Sequence, residues 1–153
     1  MVGRFVVNVE AAIFRDDDWL FIERSAKEQH AGGMLAMPGG TLEEFDGPDG
    51  ACEACVRREV LEEVGITLGP RLEYVESRLF FSARGRWVIN VVFLAAYGAG
   101  EPMAKNPDEV AWTGWLPLDD VLGDPRCPAW LKESMQAAER RKSAVGQAMR
   151  EDR

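Results

Sequence analysis

Residues 39–66 read GGTLEEFDGPDGACEACVRREVLEEVGI, and the run from Arg58 to Gly65 decides the reading of the rest. Val56, Val60 and Val64 recur at a spacing of four, which is the stripe a helix buries. Side chains three and four apart on a helix are neighbours, so Glu59 shares one face with Glu62 and Glu63. Gly65 stands where helices commonly end with a left-handed residue. Two acids in the last turn oppose the helix dipole, and three carboxylates on one face repel one another. A divalent cation reverses that penalty, and oxygen donors of this kind suit Mg2+ or Mn2+. A Glu-rich helix face is more often simply solvated, so spacing alone does not establish a metal site.

Gly40 together with REVLEEVGI resembles the Nudix box, the family pattern G-x5-E-x7-R-E-U-x-E-E-x-G-U in which U is aliphatic. Arg58, Glu59, Val60, Glu62, Glu63, Gly65 and Ile66 fill its second half without a mismatch, and MPGGTLE resembles the usual entry to it. The first half departs from the pattern. The chain is four residues longer between Gly40 and Arg58, and the first Glu of the motif falls on Gly50. Glu43, Glu44, Asp46 and Asp49 are the candidates to replace it. The extra residues are expected in EFDGPDG, as a surface loop outside the metal cage, with Asp49 capping the helix.

The resemblance implies an α/β fold, a Nudix-like α/β/α sandwich with a mixed β-sheet, as one domain over residues 1–153. It implies hydrolysis of the phosphoanhydride bond in a nucleoside diphosphate linked to a group X. Glu59 and Glu63 are then the principal metal ligands, the Gly39 carbonyl is a further one, and Glu62 is a ligand or the base that positions water. Arg58 orients a carboxylate. Arg24, at the end of a strand, is the candidate for the substrate phosphates, although a surface ion pair explains it equally well. Glu109, before the last strand, is a second acid for metal or base chemistry, weighed against an ordinary loop acid. A small-molecule nucleotide is the implied partner, and a homodimer is a family-level expectation.

The remaining chain fits such a fold. Residues 5–14 and 19–23 read as two strands around Asp16-Asp17-Asp18, and 34–37 as a short strand entering Pro38-Gly39-Gly40. The glycines let a backbone carbonyl come close to a metal. Residues 72–82 and 87–97 read as a hairpin, the second strand apolar enough to be covered on both faces. Residues 112–116 read as a last strand, 118–122 as a short helix and 128–140 as a longer one, with fraying expected after Lys142. Phe80, Trp87 and Trp130 could stack on a base, but such residues are more often core. His30, the only histidine, has no role in this chemistry.

A net charge of −8 argues against a nucleic-acid polymer and not against a nucleotide. No long uncharged apolar run is present, and the first residues lack a signal-peptide layout, so no membrane span is expected. Three cysteines without a disulfide pattern point to the reducing cytoplasm. Cys52-x-x-Cys55 has no second pair to complete a zinc site and is expected to pack under the helix. Three functions stay open: a hydrolase giving nucleoside monophosphate and pyrophosphate, a hydrolase of ADP-ribose, nucleotide sugars or CDP-alcohols, and a sensor without turnover. The intact Arg58-Glu59 and Glu62-Glu63 set favours an enzyme. SQPWPFP, associated with NADH pyrophosphatases, is absent.

Overall fold

Alternation along the central strands is what builds two layers around one sheet. The computed structural model describes residues 3–152. Strand β1 (Phe5–Arg15) turns at Asp16-Asp17 into β2 (Asp18–Arg24). β1 also runs parallel to β6 (Trp87–Ala99), in register from Phe5 opposite Trp87 to Phe14 opposite Ala96. β6 pairs antiparallel with β5 (Thr67–Phe81), and β2 pairs antiparallel with β3 (Leu35–Ala36) and β7 (Val110–Pro117). β4 (Gly39–Thr41) pairs antiparallel with the first half of β1. One parallel pair among antiparallel ones makes this seven-stranded sheet mixed, as expected.

Val9, Ala11, Ile13, Leu20, Ile22, Phe93 and Ala95 face helix α1 (Ala51–Val64) and pack on its Cys55, Val56, Val60 and Val64. The intervening Ala12, Trp19, Phe21, Val92 and Leu94 face the other side. There they meet Val121 of α2 (Leu118–Leu122) and Leu131, Met135 and Ala138 of α3 (Ala129–Glu151). Burying each large aliphatic side chain contributes about 1.5–3 kcal/mol, so the two faces together hold α1 and α3 against the sheet. Cys55 is fully buried and Cys52 packs at its side, as expected of small apolar residues.

Several details differ from the sequence reading. β5 begins at Thr67 rather than Leu72, because it is an edge strand and tolerates Pro70 with a register shift. The segment expected as one strand over 34–37 ends at Ala36, and after Pro38 the chain crosses to pair with β1 as β4. α3 continues beyond residue 142 to Glu151. Lys142 helps to fasten that extension: its Nζ donates to the Asp16 carbonyl at 2.6 Å and lies 4.6 Å from the Phe14 ring centre. Asp49 does not cap α1; Gly50 does, at φ 60°, without a side-chain bond. The inserted segment is also not wholly a surface loop, since Glu44–Asp46 form a 3-10 turn that buries Asp46.

Candidate active site

Arg58 is the hub of the site. Its Nε and Nη2 donate to the two carboxylate oxygens of Asp46, both at 2.9 Å. Nη1 donates to Glu59 at 2.8 Å and to Glu62 at 3.2 Å, and Nη2 also reaches the Thr41 carbonyl at 3.2 Å. The Phe45 ring covers the guanidinium, with its centre 4.8 Å from Cζ. The paired hydrogen bonds from Arg58 hold the Asp46 carboxyl down at about 2. Of the four acids offered by the sequence, Asp46 is therefore the one brought to Arg58. The sequence left that choice open because it depends on the 3-10 turn, which folds Asp46 back over α1.

Glycines let β4 lie this close to α1 on one side and β1 on the other. A methyl group on Gly40 would stand 2.2 Å from the Glu59 carboxyl carbon, and one on Gly39 would stand 2.1 Å from the Val9 carbonyl oxygen. The Gly39 N–H donates to Glu63 at 3.2 Å. Gly65, at φ 76°, ends α1 with its N–H on the Leu61 carbonyl at 3.0 Å.

Glu59, Glu62, Glu63 and Glu109 line one small cavity of about 90 Å³ with Asn106 and Val110. Burial pushes the Glu63 carboxyl up to about 8, with the charges of Glu59 and Glu10 acting the same way, against the Gly39 N–H and the charge of Arg24. Burial raises Glu59 as well, against its bond from Arg58. The Glu62 side chain is 60% exposed. Among the described residues, no three acid, histidine or cysteine side chains are already gathered to hold a metal ion. Arg58 engages Glu59 and Glu62, and Gly39 engages Glu63. The donor set is nevertheless all hard oxygen on one cleft, with its two inner carboxyls disfavoured as bare anions. That chemistry fits a divalent cation of the Mg2+ or Mn2+ kind.

Glu109 also lines a second cavity of about 1090 Å³, so the two spaces meet at this residue. Its backbone carbonyl accepts from the Ser25 N–H at 2.9 Å. Arg24 is half-buried on the wall of the larger space, with Nε on the His30 carbonyl at 2.9 Å and Nη2 3.6 Å from Glu28. Phe80 and Trp130 line it too, 37% and 50% exposed, and the His30 ring is stacked near-parallel to both at 6.2 Å between centres. These aromatics are thus not core, contrary to the usual expectation. Trp87 is 48% exposed but lies outside this cavity, edge-on to Phe81 at 5.2 Å.

Sequence reasoning missed Glu10 as a site residue. It lines the larger cavity, and burial pushes its carboxyl up to about 7 against a hydrogen bond from Asn90. The signal was a single acid inside the apolar run FVVNVEAAIF.

Comparison with known proteins fits this geometry. The model of the NUDIX domain matches residues 4–138. The chain is similar to the 8-oxo-dGTP diphosphatase of Escherichia coli (strain K12), at 30% identity over 107 residues, covering 70% of this chain and 78% of that protein. It is similar to the crystal structure of a MutT NUDIX hydrolase from Burkholderia pseudomallei, with a TM-score of 0.74 and 30% identity over 88% of this chain and 98% of that one. A MutT protein from Methanosarcina mazei Go1 gives a TM-score of 0.74 at 25% identity, over 93% of this chain and 98% of that one. With a domain match across most of its length and the acids of that domain's motif lining one cleft, the chain belongs to the NUDIX family as a MutT-like Nudix pyrophosphohydrolase.

Proposed function

We propose that the protein hydrolyses a nucleoside triphosphate between the α and β phosphorus atoms, releasing the monophosphate and pyrophosphate. The observation that carries this reading is the junction at Glu109. It places an acidic cleft next to a space of about 1090 Å³ walled by Arg24 and by aromatic rings. A space of that size accommodates a nucleoside, and sites for small ligands commonly run from about 300 to 1,000 Å³. The similarity to a protein named as an 8-oxo-dGTP diphosphatase supports the triphosphate class.

Each side chain then has a task. Arg24 lines the larger space and binds phosphate oxygens through charge-assisted hydrogen bonds. Arg58 fixes the directions of Glu59 and Glu62 while Asp46 fixes Arg58. Glu59 and Glu63, with the Gly39 carbonyl, would hold Mg2+ or Mn2+, and Glu62 is a further ligand or the base. When bound, the cation supplies neutralisation of phosphate charge and a more acidic water. As the base, Glu62 would orient the attacking water and accept its proton, a task that its being the most open of the three helix acids supports. Glu109 is a second acid at the mouth of the same cleft.

The test is a substrate panel with Mg2+ or Mn2+ and products identified by mass. Common and oxidised nucleoside triphosphates are compared with ADP-ribose, sugar nucleotides and CDP-choline. Monophosphate and pyrophosphate from a triphosphate are expected. Efficient cleavage of a diphosphate-linked compound with intact triphosphates would replace this reading, and tight binding of a nucleotide without turnover would favour a sensor.

A further inference from the structure

Strand β5 is an open edge of the sheet: among the described residues it pairs with β6 on one side and with no strand on the other. The two halves of this edge differ. In the first half the ladder to β6 is interrupted between Leu68 and Leu72, and Pro70 has no N–H to offer. There Arg57 of α1 also donates to the Leu68 and Pro70 carbonyls, at 3.4 and 3.1 Å. Such features blunt an edge against pairing with another chain. The second half, from Glu76 to Phe81, keeps an unbroken register with β6 and contains no proline. Its two charged side chains, Glu76 and Arg78, are engaged on the α3 side by each other, by Ser134 and by Glu133.

The other face of that half is apolar and uncovered. Phe5, Trp87 and Phe81 lie abreast on β1, β6 and β5, and Leu79 stands on the same face of β5 as Phe81. Alternation sets this row in line with Val7 and Val91, which pack against the core under α1. The row itself is open. Phe5, Trp87, Phe81, Leu79 and, beyond Ser77, Tyr74 are each 48–59% exposed. With about 200 Å² for a large ring, they present on the order of 500 Å² of apolar surface. Single exposed apolar residues need no explanation, but a patch of this extent along an open edge strand marks an interaction surface.

We infer that this edge pairs with the same edge of a second copy, β5 antiparallel to β5, about a two-fold axis at Leu79. An antiparallel edge is its own complement, and the two-fold closes the assembly at two chains. The axis sets Leu79 against the Leu79 of the second copy and Ser77 against its Phe81. Arg78 then faces Phe80 and Glu76 faces Ser82, so no like charges are opposed. An axis at Glu76 or Arg78 would set a charge against its own copy. An axis at Ser77 would carry Leu79 into the register break between Tyr74 and Glu76. Pairing about Leu79 also brings Arg84 of each turn opposite Tyr74 of the other copy, beside Glu73, which adds opposite charges at both ends. The apolar patch is a large part of the roughly 800 Å² per partner that a standard interface buries, and the paired backbone contributes to the rest. Ser82, Arg84 and Arg86 line the larger cavity as well, so the second copy stands beside that space.

Sedimentation equilibrium of the full chain at physiological salt, from micromolar concentrations upward, tests this. A monomer–dimer equilibrium without larger species is expected. Leu79→Lys and Leu79→Glu, at an exposed position, should each stay folded by circular dichroism and weaken the dimer at least about tenfold, because like charges then meet at the axis. Mixing the two variants should restore dimerisation, since lysine then meets glutamate, a rescue that mere loss of apolar surface would not give. Phe81→Ser adds no charge and serves if either charged variant disturbs the hairpin; it should weaken the dimer at least about fivefold. A monomer at every concentration, open-ended assembly, or a dimer indifferent to these substitutions overturns the inference. Variants that each weaken the dimer but do not recover on mixing overturn the axis at Leu79.

Discussion

Glu63 shows how one side chain links burial, metal and pH. Its carboxyl is pushed up from 4.5 to about 8, chiefly by burial. A group whose folded value is raised contributes stability that is full below the unfolded value and is lost as pH rises through the folded one. The metal-free protein should therefore lose stability between about pH 5 and 8. Glu10, pushed up to about 7, acts in the same direction. Glu63→Gln keeps an acceptor for the Gly39 N–H and removes the ionisation. It should recover on the order of 1–3 kcal/mol at pH 8 relative to pH 6, read from urea unfolding. An unchanged pH slope would place the cost elsewhere. The same variant should lose most hydrolytic activity, about a hundredfold or more, if this carboxylate holds the metal. Arg24→Ala should act differently, raising KM more than it lowers kcat, because it removes phosphate binding rather than the reacting cleft. A fall in kcat alone would detach Arg24 from substrate binding. Neither Glu10 nor its partners could be assigned from sequence, since the pairing of Asn8 with Asn90 is made by strand register across 82 residues.

At the scale of elements, α1 was legible and its approach was not. The valine stripe and the acids at spacings of three and four follow directly from helix geometry, and the structure places them on those faces. The insertion carries no such periodicity. Its Gly47-Pro48 and Asp49-Gly50 pairs mark turns but do not say which acid returns to the helix. Packing decides that: the 3-10 turn carries Phe45 onto the Arg58 guanidinium and Asp46 beneath it. Asp46→Ala should release Arg58 and let Glu59 and Glu62 lose their fixed directions. We expect at least a tenfold fall in kcat with little change in KM, and no loss of helix by circular dichroism. Asp46→Glu should recover part of the rate. Full activity in the alanine variant would show that Glu59 and Glu62 alone position Arg58. The same principle explains β5, where Gly69-Pro70 reads as a break but is accommodated on a sheet edge.

For the whole molecule, the two faces of the sheet divide the work. The α1 face brings the acids of one helix to the glycines of β4, while the opposite face builds the wide cavity between the strands and α3. A chain of net charge −8 must bring a polyanion to an acidic cleft, where Arg58 is already engaged by Asp46, Glu59 and Glu62, while Arg24 lines the neighbouring space. Electrostatics at this scale therefore require a counter-charge that the protein does not itself supply in sufficient measure. Chelation with EDTA should abolish hydrolysis, and Mg2+ or Mn2+ should restore it. Because the ligating carboxylates must lose their protons, the cation should bind more tightly as pH rises through the range where Glu63 ionises, about 8. A ligand at free concentration c that binds only the folded state stabilises it by RT ln(1 + c/Kd), so at a fixed concentration the rise in unfolding temperature grows with affinity. At a fixed sub-saturating concentration of Mg2+, the rise should thus be larger at pH 8.5 than at pH 6, and Glu63→Gln should shrink it at the higher pH. Metal analysis must accompany the measurement. Undiminished activity in protein verified as metal-free, or an equal thermal shift at both pH values, would remove the metal from the face that Glu59 and Glu63 present.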